Sequence, residues 1–405
     1  MPFNLSLQSY VNRDTLEEID KLGMDPAEII QILHAISLPQ QHYNLRVNLT
    51  KIAREDLVEN LRGRGVDVKI YPELPEMVGV HIFEGLPLPR AKRVVYANKF
   101  ASESVSCGAN LFYPGVGPHS HVPLNANVEI REWERKIHVA TGITRMNLKN
   151  PPSHKGVAVE TTHSPFRMWS FRDSEEYKAG LFDDQSLPPV AAVHSLMLHY
   201  QPGAIIFDLC AAPGGKTAAL AQVAKVTSGN WPEILAIDRS KNRLERLKEK
   251  VTRLGLEGIT PVALKLEKIH SQNPEWKARA DLVFLDPPCS ALGTRPKLYI
   301  ETTSDRYKDY PENQFRLVQH AWELLKPGGY LIYNTCTITL AENEGNVARI
   351  LDTFDAELVS SGVALGREGA PHPALSIDET RKLRRFWPHL DDSIGYFIAK
   401  FRRKS

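Results

Sequence analysis

Apolar positions along this chain change their period twice. Over residues 44–48, 66–70 and 78–82 they alternate, which predicts short strands, and a helical pattern over 51–61 lies between the first two. Upstream, Asp14-Thr15-x-x-Glu18 and Asp25-Pro26 each offer a helix N-cap signal. Residues 1–87 therefore read as a small α+β unit, ended by Leu86-Pro87-Leu88-Pro89 as a linker. From 88 to 172 the pattern shortens to strands over 110–112, 128–133, 136–143 and 156–160, separated by turn residues; this spacing predicts a compact β-barrel. After Tyr177 strands and helices alternate: strands over 202–208, 233–238, 280–286 and 330–334, helices over 216–226, 242–254 and 314–325. That texture predicts a Rossmann-like, doubly wound and mostly parallel sheet over 173–405.

Composition adds exclusions more than it adds content. With 42% hydrophobic and 24% charged residues in 405, the chain is neither disordered nor fibrous. Four cysteines, none spaced as C-x-x-C, make no disulfide framework and no structural zinc site, so no metal is expected. No apolar run approaches a membrane span, and the early charges Arg13, Asp14, Glu17 and Glu18 fit no signal peptide. The expectation is a cytoplasmic protein with reduced thiols. Net charge is only +2, yet residues 89–172 carry twelve Lys and Arg against five Glu. That stretch is thus +7, leaving −5 elsewhere, and a basic module in an acidic chain is the footprint of a nucleic-acid contact.

The candidate chemistry sits at strand ends. Asp208-Leu209-Cys210-Ala211-Ala212-Pro213-Gly214-Gly215-Lys216-Thr217 falls where the first strand of the sheet turns into a helix. Glycines there admit a ligand to the backbone, and a helix N-terminus presents free N–H groups. An NTPase phosphate loop fails on spacing, because it needs glycine where Leu209 stands. Asp238 ends the next strand, where a carboxylate takes the hydroxyls of a cofactor ribose. On these residues alone, a cofactor turn and an ordinary tight turn both stay open. Asp286-Pro287-Pro288-Cys289-Ser290 and Asn334-Thr335-Cys336-Thr337 end two further strands on the same ligand edge. Two thiols facing one crevice serve as nucleophile and partner when one has a lowered pKa. Buried, inert thiols are the commoner fate of free cysteine, but these two follow polar strand-ending residues.

Taken together, DLCAAPGGKT, LDPPCS and NTCTITLAENE resemble the signature set of the Sun-domain (Fmu-type) RNA cytosine-5 methyltransferases. Gln185-Ser186-Leu187-Pro188, Leu45-Arg46-Val47-Asn48 and the stretch 392–400 resemble further parts of that family, so the likeness runs along nearly the whole chain. Ser104-Val105-Ser106-Cys107-Gly108-Ala109 with Tyr113-Pro114-Gly115-Val116 resembles a PUA domain. That order of units is similar to the PUA-containing sixth animal Sun-domain member and its archaeal relatives.

The resemblance implies an α+β RNA-binding unit at 1–87, a PUA-like β-barrel at 88–172 and a methyltransferase domain at 173–405. It implies S-adenosylmethionine as cofactor, cradled by Cys210, Ala211, Ala212, Pro213, Gly214, Gly215 and Lys216. Asp238 would take the ribose, Asp286 would line the methyl site, and Arg243 stands where a basic residue is frequent. In the implied chemistry Cys336 attacks carbon 6 of the target base, and Asp286 hydrogen-bonds it. Cys289 helps remove the carbon-5 proton, and Lys216 joins this catalytic set. The PUA likeness implies grip on a transfer RNA, at its acceptor stem and CCA end, by a monomer. Three positions depart from the family pattern. Lys265 stands where a third-strand acidic residue contacts adenine, with Glu267 two residues on; Ala291 replaces glycine; Pro287 replaces a smaller residue. Two rival readings are an amino-group methyltransferase, against which the second thiol argues, and an RNA-binding protein whose cofactor site Lys265 has weakened.

Overall fold

The computed structural model describes residues 6–404; the first five residues of the expected N-terminal unit, and Ser405, lie outside the described residues. Its largest element is an eight-stranded sheet. Five parallel strands run in the order Ile259–Ala263, Glu233–Asp238, Ile205–Leu209, Ala280–Leu285 and Leu325–Thr335. Tyr396–Arg403 then pairs antiparallel with Leu325–Thr335, and carries Ala356–Val359 and Arg384–Phe386 on its other side. The order reverses between Ile205–Leu209 and Ala280–Leu285, which opens a crevice beyond their C-terminal ends. Leu209 pairs with Leu285, so Cys210 and Asp286 leave the sheet side by side.

Local sequence explains the elements around that crevice. In helix Lys241–Leu254, Ser240 accepts the Arg243 N–H as N-cap, and Gly255 ends the helix at φ +68°. Leu244, Leu247 and Leu254 face the sheet, each contributing about 1.5–3 kcal/mol by burial. The long helix Ser304–Leu324 begins ten residues before the 314–325 that its apolar pattern marks, because its first half is polar and solvated. The N-cap signal at Asp14 is not used: Asn12 caps Arg13–Asp20, whereas Asp25 caps Pro26–Ser37 as expected.

Two of the expected domain limits are redrawn. The N-terminal sheet has the order Phe182–Asp184, His42–Val47, Met77–His81, Val68–Ile70, so one edge strand comes from beyond residue 172. Asp183 of that strand is fully buried between Lys250 and Arg253, two cations of a helix face that otherwise meets solvent. Among the described residues, the helices Arg13–Asp20 and Pro26–Ser37 bury their apolar faces away from the N-terminal sheet. Their Ile19, Ile32 and Ile36 pack on Leu292, Ile300, Ile338 and Trp387, which belong to loops of the large sheet.

The expected barrel is a five-stranded sheet in the order Arg93–Ala97, Asn127–Glu132, His138–Thr144, Val157–His163, Leu111–Phe112, with helix Lys99–Ser106 across it. Its two edges are drawn together where Val116, just past one edge strand, bridges Ala97 on the other. Phe83–Glu84 and Phe166–Arg167 pair as the chain enters and leaves this insert. Leu298 and Tyr299 of the large domain are buried inside the insert's own core. Among the described residues no helix is long and apolar enough to cross a membrane.

Candidate active site

The cofactor side of the crevice is built from backbone. Cys210 leaves the first strand at φ +65°, and Gly214 follows at φ +97°. A Cβ on Gly214 would lie 2.7 Å from Leu247 Cγ, so only glycine lets this turn sit against the neighbouring helix. Gly214 caps helix Gly215–Ser228 without a side-chain hydrogen bond, which leaves its first N–H groups open to an anionic ligand. Thr217 Oγ1 donates to Asp208 Oδ2 at 2.5 Å, and burial raises the Asp208 carboxyl to about 7. Asp238 is buried at the end of the next strand. Its carboxylate accepts the Ala212 N–H at 3.2 Å and the Ser240 N–H at 2.8 Å, while Arg243 Nη1 lies 3.5 Å away. Arg243 also donates to the Ala212 carbonyl. Lys265 is brought near only through the backbone, where the Leu264 N–H bonds the Asp238 carbonyl at 3.0 Å; the Lys265 and Glu267 side chains are exposed.

These residues fit S-adenosylmethionine. Uncapped N–H groups suit its carboxylate, and the strand-end carboxylate of Asp238 suits its ribose diol. The buried Nε2 of Gln185, 3.9 Å from where a Cβ on Gly215 would lie, has no partner of its own.

The reactive side is built from side chains. Lys216 Nζ pairs with Asp286 Oδ2 at 2.6 Å. Burial, the largest single influence, lowers the lysine's proton affinity, but the charge and hydrogen bond of Asp286 together with Cys336 and Asp208 outweigh it and hold Lys216 above its ordinary range. Cys289 Sγ and Cys336 Sγ lie 3.3 Å apart. The Cys289 thiol donates to Cys336, which keeps Cys336 below the usual thiol range against the cost of burial; Lys216 and Lys297 add to this and Asp286 opposes it. Cys289 is pushed far up by the same hydrogen bond and by burial. Burial also pushes Cys210 up to about 12. Of three cysteines around the crevice, only Cys336 is biased toward thiolate.

Residues without an expected role hold the two thiol loops together. Glu342 Oε2 accepts the Ser290 N–H at 3.0 Å and Gln314 Nε2 at 2.8 Å; Gln314 Nε2 also donates to the Pro288 carbonyl at 3.1 Å. Thr339 Oγ1 donates to Glu342 Oε1 at 2.9 Å, and Ser290 Oγ meets Thr337 Oγ1 at 2.6 Å. Glu342 sits in a π-helical turn, Ala341–Gly345, a local widening that recurs at functional sites. On the other flank, Arg295 donates to the carbonyls of Leu38, Pro39, Pro388 and Ser393, and Gly293 N–H bonds the Cys336 carbonyl at 3.0 Å. Ala291 has φ +54°, which explains why glycine is the family residue there and costs about 1–2 kcal/mol. Glu342 was visible only as part of a signature string. Buried acids inside an apolar stretch are the signal that marks it.

A cofactor cradle at the switch point and a polarised thiol pair at the two neighbouring strand ends define an S-adenosylmethionine-dependent methyltransferase of the two-cysteine kind. Residues 195–402 match the family model described as 16S rRNA methyltransferase RsmB/F. The chain is 35% identical to a tRNA (cytosine(72)-C(5))-methyltransferase from Pyrococcus horikoshii, over 96% of each chain. It is 28% identical to tRNA (cytosine(72)-C(5))-methyltransferase NSUN6 of Homo sapiens, over 98% of this chain and 96% of that one. The crystal structure of NSun6 from Pyrococcus horikoshii with SFG, an S-adenosylmethionine analogue, superposes with a TM-score of 0.84 at 33% identity, covering 98% of this chain and 100% of that one. The chain belongs to the Sun-domain family and is an S-adenosylmethionine-dependent RNA cytosine-5 methyltransferase. Membership removes the amino-group methyltransferase as a reading.

Proposed function

We propose that the enzyme methylates carbon 5 of cytidine 72 in the acceptor stem of transfer RNA. The observation that carries this reading is the extent of the match to the archaeal cytosine-72 enzyme, 96% of each chain, which spans the basic insert as well as the catalytic domain. The insert, PUA-like in this reading, holds the acceptor stem and CCA end. The enzyme acts as a cytoplasmic monomer without a metal.

Residues 210–216 and Asp238 would hold S-adenosylmethionine, with Arg243 beside Asp238 and exposed Lys265 farther out; the cofactor would supply an electrophilic methyl group. Carbon 5 of cytosine is too weak a nucleophile to take that methyl unaided. Cys336, the thiolate of the pair, adds to carbon 6 and moves electron density onto carbon 5. Asp286, oriented by Lys216 at 2.6 Å, hydrogen-bonds the base and stabilises the adduct. Once carbon 5 carries the methyl group, Cys289, its own proton first lost to solvent, accepts the carbon-5 proton; the C–H electron pair re-forms the carbon 5–carbon 6 double bond and Cys336 leaves as thiolate. The target base must leave its stack to meet both sulfurs, which suits the end of an acceptor stem.

Bisulfite sequencing of transfer-RNA transcripts incubated with enzyme and cofactor tests the target. Methylation is expected at position 72 and is expected to vanish when that cytidine is replaced by uridine. Methylation at another position, with 72 untouched, overturns the assignment.

A further inference from the structure

Cys289 Sγ and Cys336 Sγ, at 3.3 Å, touch directly. A disulfide bond is about 2 Å long, so the two sulfurs stand only a small side-chain movement from bonding. The spacing is held by backbone on both sides of Cys289. Glu342 accepts the Ser290 N–H at 3.0 Å, and the Gly293 N–H bonds the carbonyl of Cys336 itself at 3.0 Å. All four cysteines are free and partly exposed, so exposure does not set this pair apart. Contact does: among the described residues this is the one place where two thiols meet. Within the pair the proton is also unevenly shared. Cys289 keeps its own and holds Cys336 toward thiolate, whereas burial pushes Cys107 and Cys210 up to about 12.

A thiolate is the form that a hydroperoxide oxidises, and an adjacent thiol is what traps the product as a disulfide. Cys336 Sγ attacks one oxygen of hydrogen peroxide. The S–O bond forms as the O–O bond breaks, the sulfur gives up two electrons, and hydroxide departs to be protonated by solvent. Cys289, its proton passing to solvent, then attacks the sulfenic sulfur. The S–S bond forms, the S–O bond breaks and a second hydroxide leaves. Two thiols and one peroxide thereby become one disulfide and two waters.

We infer that the touching Cys289 and Cys336 are a site of reversible oxidation by hydroperoxides, Cys336 being oxidised first and Cys289 closing the disulfide. The bond occupies both sulfurs and stops methyl transfer until a dithiol reduces it; that consequence, though not the bond, rests on the proposed roles of the two cysteines. The cofactor side, built from residues 210–216 and Asp238, contains neither sulfur, so S-adenosylmethionine binding persists in the oxidised enzyme.

The test treats the RNA-free, full-length enzyme with hydrogen peroxide at neutral pH, blocks remaining thiols with N-ethylmaleimide and maps the peptides by mass spectrometry without reductant. A linked peptide pair carrying Cys289 and Cys336 is expected, formed about tenfold or more faster than any oxidation of Cys107 or Cys210. Methyl transfer should fall in step with it and return with dithiothreitol, while the S-adenosylmethionine dissociation constant stays unchanged. In Cys289→Ser, or Cys289→Ala if that variant does not fold, Cys336 lacks its resolving thiol and should pass on to sulfinic acid, which dithiothreitol does not reverse. The inference is overturned if peroxide leaves the pair as free thiols, if wild-type Cys336 reaches sulfinic acid with no linked peptide, or if the linkage runs to Cys107 or Cys210. The two readings fail separately: a disulfide that forms while methyl transfer continues would uphold the oxidation site and dismiss both cysteines as catalytic.

Discussion

The two sides of the crevice are assembled by different means. The cofactor side is local: residues 208–217 and Asp238 belong to one strand–helix–strand unit, and backbone N–H groups and a glycine turn shape it. The reactive side is long-range. Its thiols lie 47 residues apart in sequence, and the loop carrying Cys289 is held by Gln314 from the long helix and Glu342 from the turn beyond Cys336. A local cradle survives the loss of distant packing, whereas a contact between two loops survives only while their supports hold.

That contrast should break most visibly at the sulfurs. Cys336→Ala is expected to give neither 5-methylcytosine nor a covalent product, with cofactor binding intact. Cys289→Ala is expected to attack and methylate but stall at release, so a protein–RNA adduct should survive denaturing electrophoresis. The reverse pattern would exchange the two roles.

A smaller break is expected behind the thiols. Glu342→Leu removes the acceptor for Ser290 and Gln314, and each buried donor left unpaired costs about 1–3 kcal/mol. Turnover should fall by about a hundredfold, while the S-adenosylmethionine dissociation constant, measured by calorimetry, stays put. A matching loss of cofactor affinity would show that the two sides are one unit. The converse is Asp238→Ala. Loss of a charge-assisted pair of hydrogen bonds, about 1.5–3 kcal/mol, should weaken the cofactor by tenfold or more and leave turnover at saturation near wild type. The smallest effect is on acidity. Because the Cys289 thiol stabilises the charged form of Cys336, removing it should raise the pH at which Cys336 becomes alkylated. The wild-type midpoint should lie below the ordinary thiol value and the Cys289→Ala midpoint above it; equal midpoints would deny the hydrogen bond.

The same contrast governs what could be read before the structure. The strand-end positions of Cys210 to Lys216, Asp238 and Asp286 were legible because a strand end and a turn are short-range events, and the large sheet was legible from its buried strands. Arg385 shows the limit. Its neighbours Arg381, Lys382 and Arg384 give no sign of its fate, yet it is fully buried against Glu344, because Glu344 lies on a distant turn that no local pattern connects to it. Lys250 and Arg253 are equally illegible, their partner Asp183 being on a strand of the N-terminal sheet. The seat of the first helices, on loops of the large sheet, is hidden from the sequence for a related reason. Amphipathicity tells that a face is buried and not what buries it.

The seating of Leu298 and Tyr299 in the insert has a consequence for how the chain is made. The insert's own strands end at His163, but its hydrophobic interior is filled by side chains that leave the ribosome only after much of the catalytic domain has been translated. Until then the nascent insert exposes an apolar hollow in the shape of a leucine and a tyrosine. An insert transplanted without Leu298 and Tyr299 is expected to carry that hollow with it, whatever strands surround it.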